Sequence, residues 1–242
     1  DEIIAIIKLT EIVKTLYYLK IKELNYLNGK KIALIFQKPS TRTRASFVTA
    51  IEELGGKAHY YNWNELQLIR GETVKDTAIV LSKYYDGAIL RVYEHEILKE
   101  FSENFKKPVI NALSDFEHPC QIISDFFTIY EKVGRLNNVK ITYIGDGNNN
   151  VANSLILGSS LLGIDISIAS PRKYQPSKFV YETALKIAQK TGSKVLVTEN
   201  IDEAIENTNI IYTDVFVSMG MEKEKEIRLK EFKDYQVNMK IL

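Results

Sequence analysis

The sequence predicts an α/β protein of two doubly wound domains, each a parallel sheet of four or more strands with helices on both faces. Two observations carry this. Short β-branched apolar runs alternate with segments of helical apolar spacing along the whole 242-residue chain. A polar link at residues 134–138 divides that alternation into two sets, so the expected domains are residues 1–134 and 135–242.

Taken in order, residues 1–27 place Ile6, Leu9, Val13, Leu16 and Tyr17 at spacings of three and four, an amphipathic helix that Asn28-Gly29 stops. Residues 32–36 are a β-branched run suited to a buried strand. Phe47, Val48, Ile51 and Leu54 then give a helix its apolar face, and Gly55-Gly56 closes it. Residues 58–63 read as the second strand, 64–73 as a polar, turn-rich segment and 74–84 as a helix. The third and fourth strands fall at 86–92 and 108–113, with a helix over 94–105 between them. A loop at 114–117 leads into a long helix over 118–133, which carries Ile122, Phe126, Ile129 and Tyr130 on one side. In the second set, strands at 139–144, 165–169, 194–198 and 210–213 are separated by helices at 150–162, 177–191 and 201–207. The charged residues 221–232 form a helix with a solvated face. There is no internal repeat and no low-complexity tract.

Composition limits the partners. With 32 basic and 31 acidic residues, no net charge steers the chain onto nucleic acid or an anionic membrane. No apolar stretch approaches the ~18 residues of a membrane span, and the start has no signal-peptide pattern. The single cysteine, Cys120, cannot form an internal disulfide, which fits a reducing cytoplasm. A first residue other than Met reads as trimming at the front. Small molecules are the expected partners, and nothing calls for a metal or a cofactor.

The turn Pro39-Ser40-Thr41-Arg42-Thr43-Arg44 lies between the first strand and its helix. It concentrates three hydroxyls, two guanidiniums and the N–H groups of a helix start, a composition that fits a phosphate cradle. The plain alternative is a capped helix with solvated arginines. Arg91 falls at the carboxyl end of the third strand, and His118 and Gln121 flank the start of the helix after the fourth. Ligands of open α/β sheets bind beyond those strand ends, so the four features can converge. An Arg, an imidazole and a Thr hydroxyl there would polarise a carbonyl and hold the oxyanion formed on attack. By spacing alone Gln67 lies in an ordinary exposed loop. Residues 144–150, Ile-Gly-Asp-Gly-Asn-Asn-Asn, make a partial dinucleotide fingerprint, but Ala169-Ser170-Pro171 stands where an acidic ribose partner is expected. Asp214 follows the last strand, where it either meets a ligand ammonium or caps a turn.

Several of these segments share one resemblance. Ser40-Thr41-Arg42-Thr43-Arg44 is similar to the carbamoyl-phosphate signature of the aspartate and ornithine carbamoyltransferases, and His118-Pro119-Cys120-Gln121 to their His-Pro-x-Gln motif. The 145–149 turn resembles the Gly-Asp-Gly-Asn-Asn segment of the ornithine enzymes, and Asp214 to Gly220 resembles their ornithine-recognition loop, with Phe216 where many relatives have Trp. The resemblance implies transfer of a carbamoyl group from carbamoyl phosphate to the δ-amino group of L-ornithine, giving L-citrulline and phosphate. It implies that Ser40, Thr41, Arg42, Thr43 and Gln67 hold the phosphate, Gln67 from a neighbouring subunit. Arg91, His118 and Gln121 hold and polarise the carbonyl, with Arg42, Arg91 and His118 as the catalytic groups. Asn150 in preference to Asn149, together with Asp214, Ser218 and Met219, binds ornithine. It further implies a cytoplasmic homotrimer or multiple of trimers. The first domain would bind carbamoyl phosphate. The second would bind ornithine and would be incomplete at its C-terminal end, because the family's His-Cys-Leu-Pro loop and a further arginine fall beyond Leu242. A Rossmann-type nucleotide or nicotinamide enzyme and a non-catalytic carbamoyl-phosphate-binding homologue are the alternatives.

Overall fold

A computed structural model describes residues 2–21, 24–217 and 222–241. It divides into an N-terminal unit, Ala5–Cys120, and a C-terminal unit, Gln121–Leu242 with Asp1–Ile4.

Four parallel strands form the sheet of the N-terminal unit: β1 (Lys31–Phe36), β2 (Lys57–Asn62), β3 (Gly87–Arg91) and β4 (Val109–Leu113), in the order β2-β1-β3-β4. Successive side chains of a strand point to opposite faces, and both faces here are apolar. On one, Leu34, Phe36 and Ile89 pack with Ile51 of α2 (Thr41–Glu53). On the other, Ala33, Ile35 and Leu90 pack with Ala78 of α3 (Val74–Leu81) and with Leu98, Phe101 and Phe105 of α4 (His95–Phe105). The helix preceding the sheet, α1, covers Glu2–Tyr18.

A second parallel sheet organises the C-terminal unit, with β5 (Lys140–Ile144), β6 (Asp165–Ala169), β7 (Val195–Thr198) and β8 (Ile210–Tyr212) in the order β7-β6-β5-β8. Its helices are α5 (Pro119–Val133), α6 (Asn150–Leu162), α7 (Lys178–Thr191), α8 (Ile201–Ile205) and α9 (Lys225–Glu231). A Cβ at Gly158 of α6 would lie 2.8 Å from the Phe126 ring of α5, so only a hydrogen fits between those helices. That closeness buries Phe126 completely, worth about 1.5–3 kcal/mol of apolar transfer.

Both sheets reverse their strand order beside their first strand. From β1 the chain steps to β2 on one side and later to β3 on the other; from β5 it steps to β6 and β7, then returns to β8 on the far side. A crevice opens at the carboxyl ends of the two strands flanking such a reversal. In the N-terminal unit those ends lead into Ser40–Thr43 and Arg91, and in the C-terminal unit into residues 145–150 and Asp214.

Three expectations are corrected and one is met. The first helix stops at Tyr18, where Lys20 turns the chain with a positive φ of 59°, and its expected stripe is largely exposed, Leu9 at 57%, while Ile7, outside that stripe, is the buried residue. The segment 64–73 is turn-rich as expected, with 3₁₀ turns at Trp63–Glu65 and Gln67–Arg70. The link at 134–138 does bury a side chain, since Leu136 is 8% exposed. The helix expected over 221–232 is a 3₁₀ turn, Glu222–Glu224, followed by α9, and Arg228 and Phe232 at its end are buried.

Candidate active site

In the N-terminal unit the site begins at the α2 start. Ser40 is extended (φ −160°, ψ 121°), and its Oγ accepts from the Thr43 backbone N–H at 3.3 Å while donating to Thr43 Oγ1 at 2.9 Å. One hydroxyl therefore serves as the cap. Thr41 and Arg42 are exposed in the first turn, which holds no acidic residue to offset the positive end of the helix dipole. Arg44 takes another path, with its guanidinium 3.6 Å from the centre of the Tyr60 ring, whose face stabilises the charge. Arg42 is left as the cation presented at the helix start.

Arg91 ends β3 and is 6% exposed, and its Nε and Nη1 have no hydrogen-bond partner among the described residues. Burial pulls its pKa down, but a guanidinium does not give up its proton at ordinary pH, so a buried positive fork stands ready for an acceptor. The backbone draws the neighbouring loop to it. Gln37 and Lys38 donate their N–H groups to the Arg91 carbonyl at 2.8 and 3.3 Å, and Tyr93 N–H donates to Gln37 Oε1 at 2.9 Å. His118 is half-buried just before α5. Burial, reinforced by the positive charges of Arg91 and Lys38, lowers its pKa to about 4. The imidazole is therefore neutral at pH 7, able to donate one N–H to a carbonyl oxygen without being an acid. Cys120 is no nucleophile: its thiol donates to the Asn111 carbonyl at 3.4 Å, and burial pushes its pKa up to about 11. Gln67 is exposed at the start of its 3₁₀ turn.

Gln121 falls in the C-terminal unit, where its amide donates to Asp125 Oδ1 at 3.0 Å; Tyr212 donates to the other Asp125 oxygen at 2.7 Å. Asn149 is the N-cap of α6, accepting from Ala152 N–H at 2.8 Å and donating to the Tyr143 hydroxyl and the Asp146 carbonyl at 3.0 and 2.9 Å. These bonds commit the Asn149 amide to the fold; Asn150 is the first helical residue of α6. Asp214 is half-buried, and burial raises its pKa, with Asp146 adding to the rise and the Val215 N–H opposing it. Ser218 and Met219 lie outside the described residues.

The glycine turn has a partner that its sequence does not announce. Asp146, 3% exposed, accepts from Nη1 of Arg228, itself 7% exposed, at 2.7 Å. Arg228 also donates to Glu224 at 2.8 Å and to the Phe216 carbonyl at 3.3 Å, and its guanidinium lies 4.9 Å from the Tyr174 ring centre. One arginine thus ties the turn before Asn150 to the loop after Asp214. Lys38, Asp125, Asp146, Tyr212 and Arg228 went unread in the sequence. Asp146 alone carried a signal, because a carboxylate in a turn leaving a buried strand needs a counter-charge.

The glycines of the partial fingerprint are consumed by packing. Gly145 has φ +141°, and a Cβ there would come 3.3 Å from Phe216; one at Gly147 would come 2.9 Å from Ile168. Ser170, at the place of the ribose acid, accepts from Gly147 N–H at 3.2 Å.

Two parallel doubly wound sheets, one with Arg42 and Arg91 and the other with Asp146 and Asp214 at its strand reversal, define an α/β protein of two open-sheet units with oppositely charged strand ends. Residues 1–131 match the model of the aspartate/ornithine carbamoyltransferase carbamoyl-P binding domain, and residues 137–242 that of the Asp/Orn binding domain. The chain belongs to the aspartate/ornithine carbamoyltransferase family. It is 46% identical to the ornithine carbamoyltransferase of Archaeoglobus fulgidus over 242 residues, all of this chain and 77% of that protein. It is 49% identical to the catabolic ornithine carbamoyltransferase of Thermoplasma acidophilum over 216 residues, 89% of this chain and 70% of the relative. The solved ornithine carbamoyltransferase of Pyrococcus furiosus superposes with a TM-score of 0.94 at 44% identity, covering 99% of this chain and 76% of the other.

Two predictions follow from the charges. Arg228→Met strands the buried Asp146 carboxylate and should lower stability in denaturant titration by about 3–5 kcal/mol, with Asp146→Asn in the same chain recovering most of the loss. For His118, the unfolded imidazole titrates near 6.5 and the folded one near 4. Between those values the unfolded chain binds a proton that the fold refuses, so stability falls as pH drops through this window. His118→Gln should lose less stability between pH 7 and pH 4 than the unaltered protein, as read by unfolding midpoints.

Proposed function

We propose that this protein transfers the carbamoyl group of carbamoyl phosphate to the δ-amino group of L-ornithine, giving L-citrulline and phosphate. The observation that carries the reading is the buried Arg91 fork beside a neutral His118, in the unit whose α2 start presents Ser40, Thr41, Arg42 and Thr43. Those four hold the phosphoryl group, with Gln67 supplied by a neighbouring subunit of a homotrimer. Arg91, His118 and Gln121 hold the carbonyl. Asn150, Asp214, Ser218 and Met219 bind ornithine, and Asn149 shapes that site as the α6 cap. The residue 1–134 region takes carbamoyl phosphate and the 135–242 region takes ornithine. The proposed location is the cytoplasm; no helix among the described residues is long and apolar enough to cross a membrane.

In the reaction the neutral δ-amine attacks the carbonyl carbon, forming a C–N bond as the C–O bond to phosphate breaks. Negative charge gathers on the carbonyl oxygen in the transition state, where Arg91 and the His118 N–H meet it. Phosphate leaves with the Arg42 charge and the helix dipole beside it, and takes up the amine's proton. Orientation and charge stabilisation account for the rate without a covalent intermediate. The nicotinamide reading lacks support, because Gly145 and Gly147 are enclosed by protein side chains.

The test is citrulline formation by the purified protein with both substrates, expected in the complete mixture and absent when either substrate is left out. In parallel, inorganic phosphate should raise the thermal midpoint of the unaltered protein and leave that of Arg42→Ala unmoved. Equal stabilisation of the two would remove the cradle from the argument.

A further inference from the structure

His95 takes no part in the constellation above, yet its surroundings are built. It opens α4, four residues after Arg91, and reaches across to the loop after β4. Its ring Nδ1 lies 2.9 Å from Ser114 Oγ, its backbone N–H donates to Asp115 Oδ1 at 2.9 Å, and its ring tilts against Phe116 at 5.3 Å between centres. Three consecutive loop residues therefore touch His95, Ser114 and Phe116 at the imidazole and Asp115 at the backbone N–H.

Ser114 is fully buried and is the corner of the turn that ends at His118. Its N–H donates to the Glu117 carbonyl at 2.9 Å, and its Oγ accepts from the Glu117 N–H at 3.1 Å, closing residues 114–117 into a ring. The same loop is held to the end of β3 by Asp115 N–H on the Tyr93 carbonyl at 2.7 Å and Val92 N–H on the Leu113 carbonyl at 3.0 Å. Backbone bonds fix where the loop lies. The Ser114 hydroxyl also lies 3.4 Å from the Glu117 carbonyl, and the His95 imidazole adds a side-chain hold from α4 on the residue that closes this turn just before His118.

We propose that His95 is a positioning residue for carbamoyl transfer, its imidazole holding Ser114 so that the 114–117 turn presents His118 beside Arg91. This rests on the reading of His118 as the group that polarises the carbonyl. A residue that only stabilised the fold would lower the melting temperature and leave the environment of His118 alone in the molecules that remain folded.

The experiment follows His118 directly. The chain has three histidines, His59, His95 and His118, so His95→Ala leaves two imidazole signals in a nuclear magnetic resonance titration, and the one lost in His118→Gln is His118. In the unaltered protein its midpoint lies near 4, depressed by burial, Arg91 and Lys38. In folded His95→Ala it should rise by about one unit as the turn loosens and water reaches the ring. His95→Asn, whose amide nitrogen stands roughly where Nδ1 did, should restore it. Citrulline formation gives the second readout: kcat should fall about tenfold or more in His95→Ala, with the KM for ornithine within about twofold and recovery in His95→Asn. If His95→Ala does not fold, Ser114→Ala removes the same bond from the other side and carries the same expectations. An unmoved His118 midpoint in the folded variant, or equal losses in His95→Ala and His95→Asn, would overturn the proposal. Should the unaltered protein form no citrulline, the functional reading fails by itself and the titration alone decides the role of His95.

Discussion

Each half of this molecule depends on the point where a parallel sheet reverses its strand order. Crossovers that feed strands to one side of β1 carry their helices over one face, and crossovers to the other side carry theirs over the opposite face. The helices that follow β1 and β3 therefore lie on opposite faces of their sheet, while the loops are tied across the gap by Gln37 and Lys38 N–H on the Arg91 carbonyl. A helix start projects its N–H groups at each reversal, α2 after β1 and α6 after β5. Chemistry collects at these places because the topology leaves polar groups uncovered while the strands that deliver them stay rigid and buried.

The two reversals are charged in opposite senses. In the N-terminal unit burial, with the charges of Arg91 and Lys38, keeps His118 neutral, and Arg42 stands exposed at the α2 start. In the C-terminal unit Asp125, Asp146 and Asp214 crowd near β5 and β8, and burial raises both Asp125 and Asp214, Asp214 further through Asp146. Arg228 neutralises one of the three, Asp146, and leaves the other two for hydrogen bonds or for a cation. An unpaired buried charge is costly in either sense, so each cluster favours a ligand of opposite sign. Anion on one sheet and ammonium on the other is the charge pattern of carbamoyl phosphate and ornithine.

Local pattern made the scaffold legible. The strand at 165–169 and the helix at 150–162 fall at their predicted bounds, because β-branched runs and helical periodicity are written within a few residues of one another. The positions of the Ser40–Arg44 turn, Arg91 and His118 at strand ends and helix starts were readable for the same reason. What stayed hidden depends on distant pairing. Arg228 sits among charges in a helix that reads as solvated, and only the folded chain brings Asp146, 82 residues earlier, to meet it. Arg44 looked like a second phosphate ligand until Tyr60, on a neighbouring strand, claimed its guanidinium. Leu136 looked dispensable in a polar link until the fold enclosed it.

The glycine turn after β5 shows why a motif should be read as geometry before it is read as a ligand. Gly-x-Gly reports that something passes too close to the backbone for a Cβ, without saying what. Here the close neighbours are Phe216 at Gly145 and Ile168 and Tyr174 at Gly147, all from the protein itself. Phe216 stacks face to face on Phe232 at 5.0 Å, and its carbonyl accepts from Arg228, so the residue that demands Gly145 also belongs to the network that holds Asp146. The turn is tight because the loop bearing Asp214 is pulled down onto it. The glycines therefore bring the Asn150 end of α6 and the Asp214 loop together, and a pyrophosphate in the same turn would have to displace that contact.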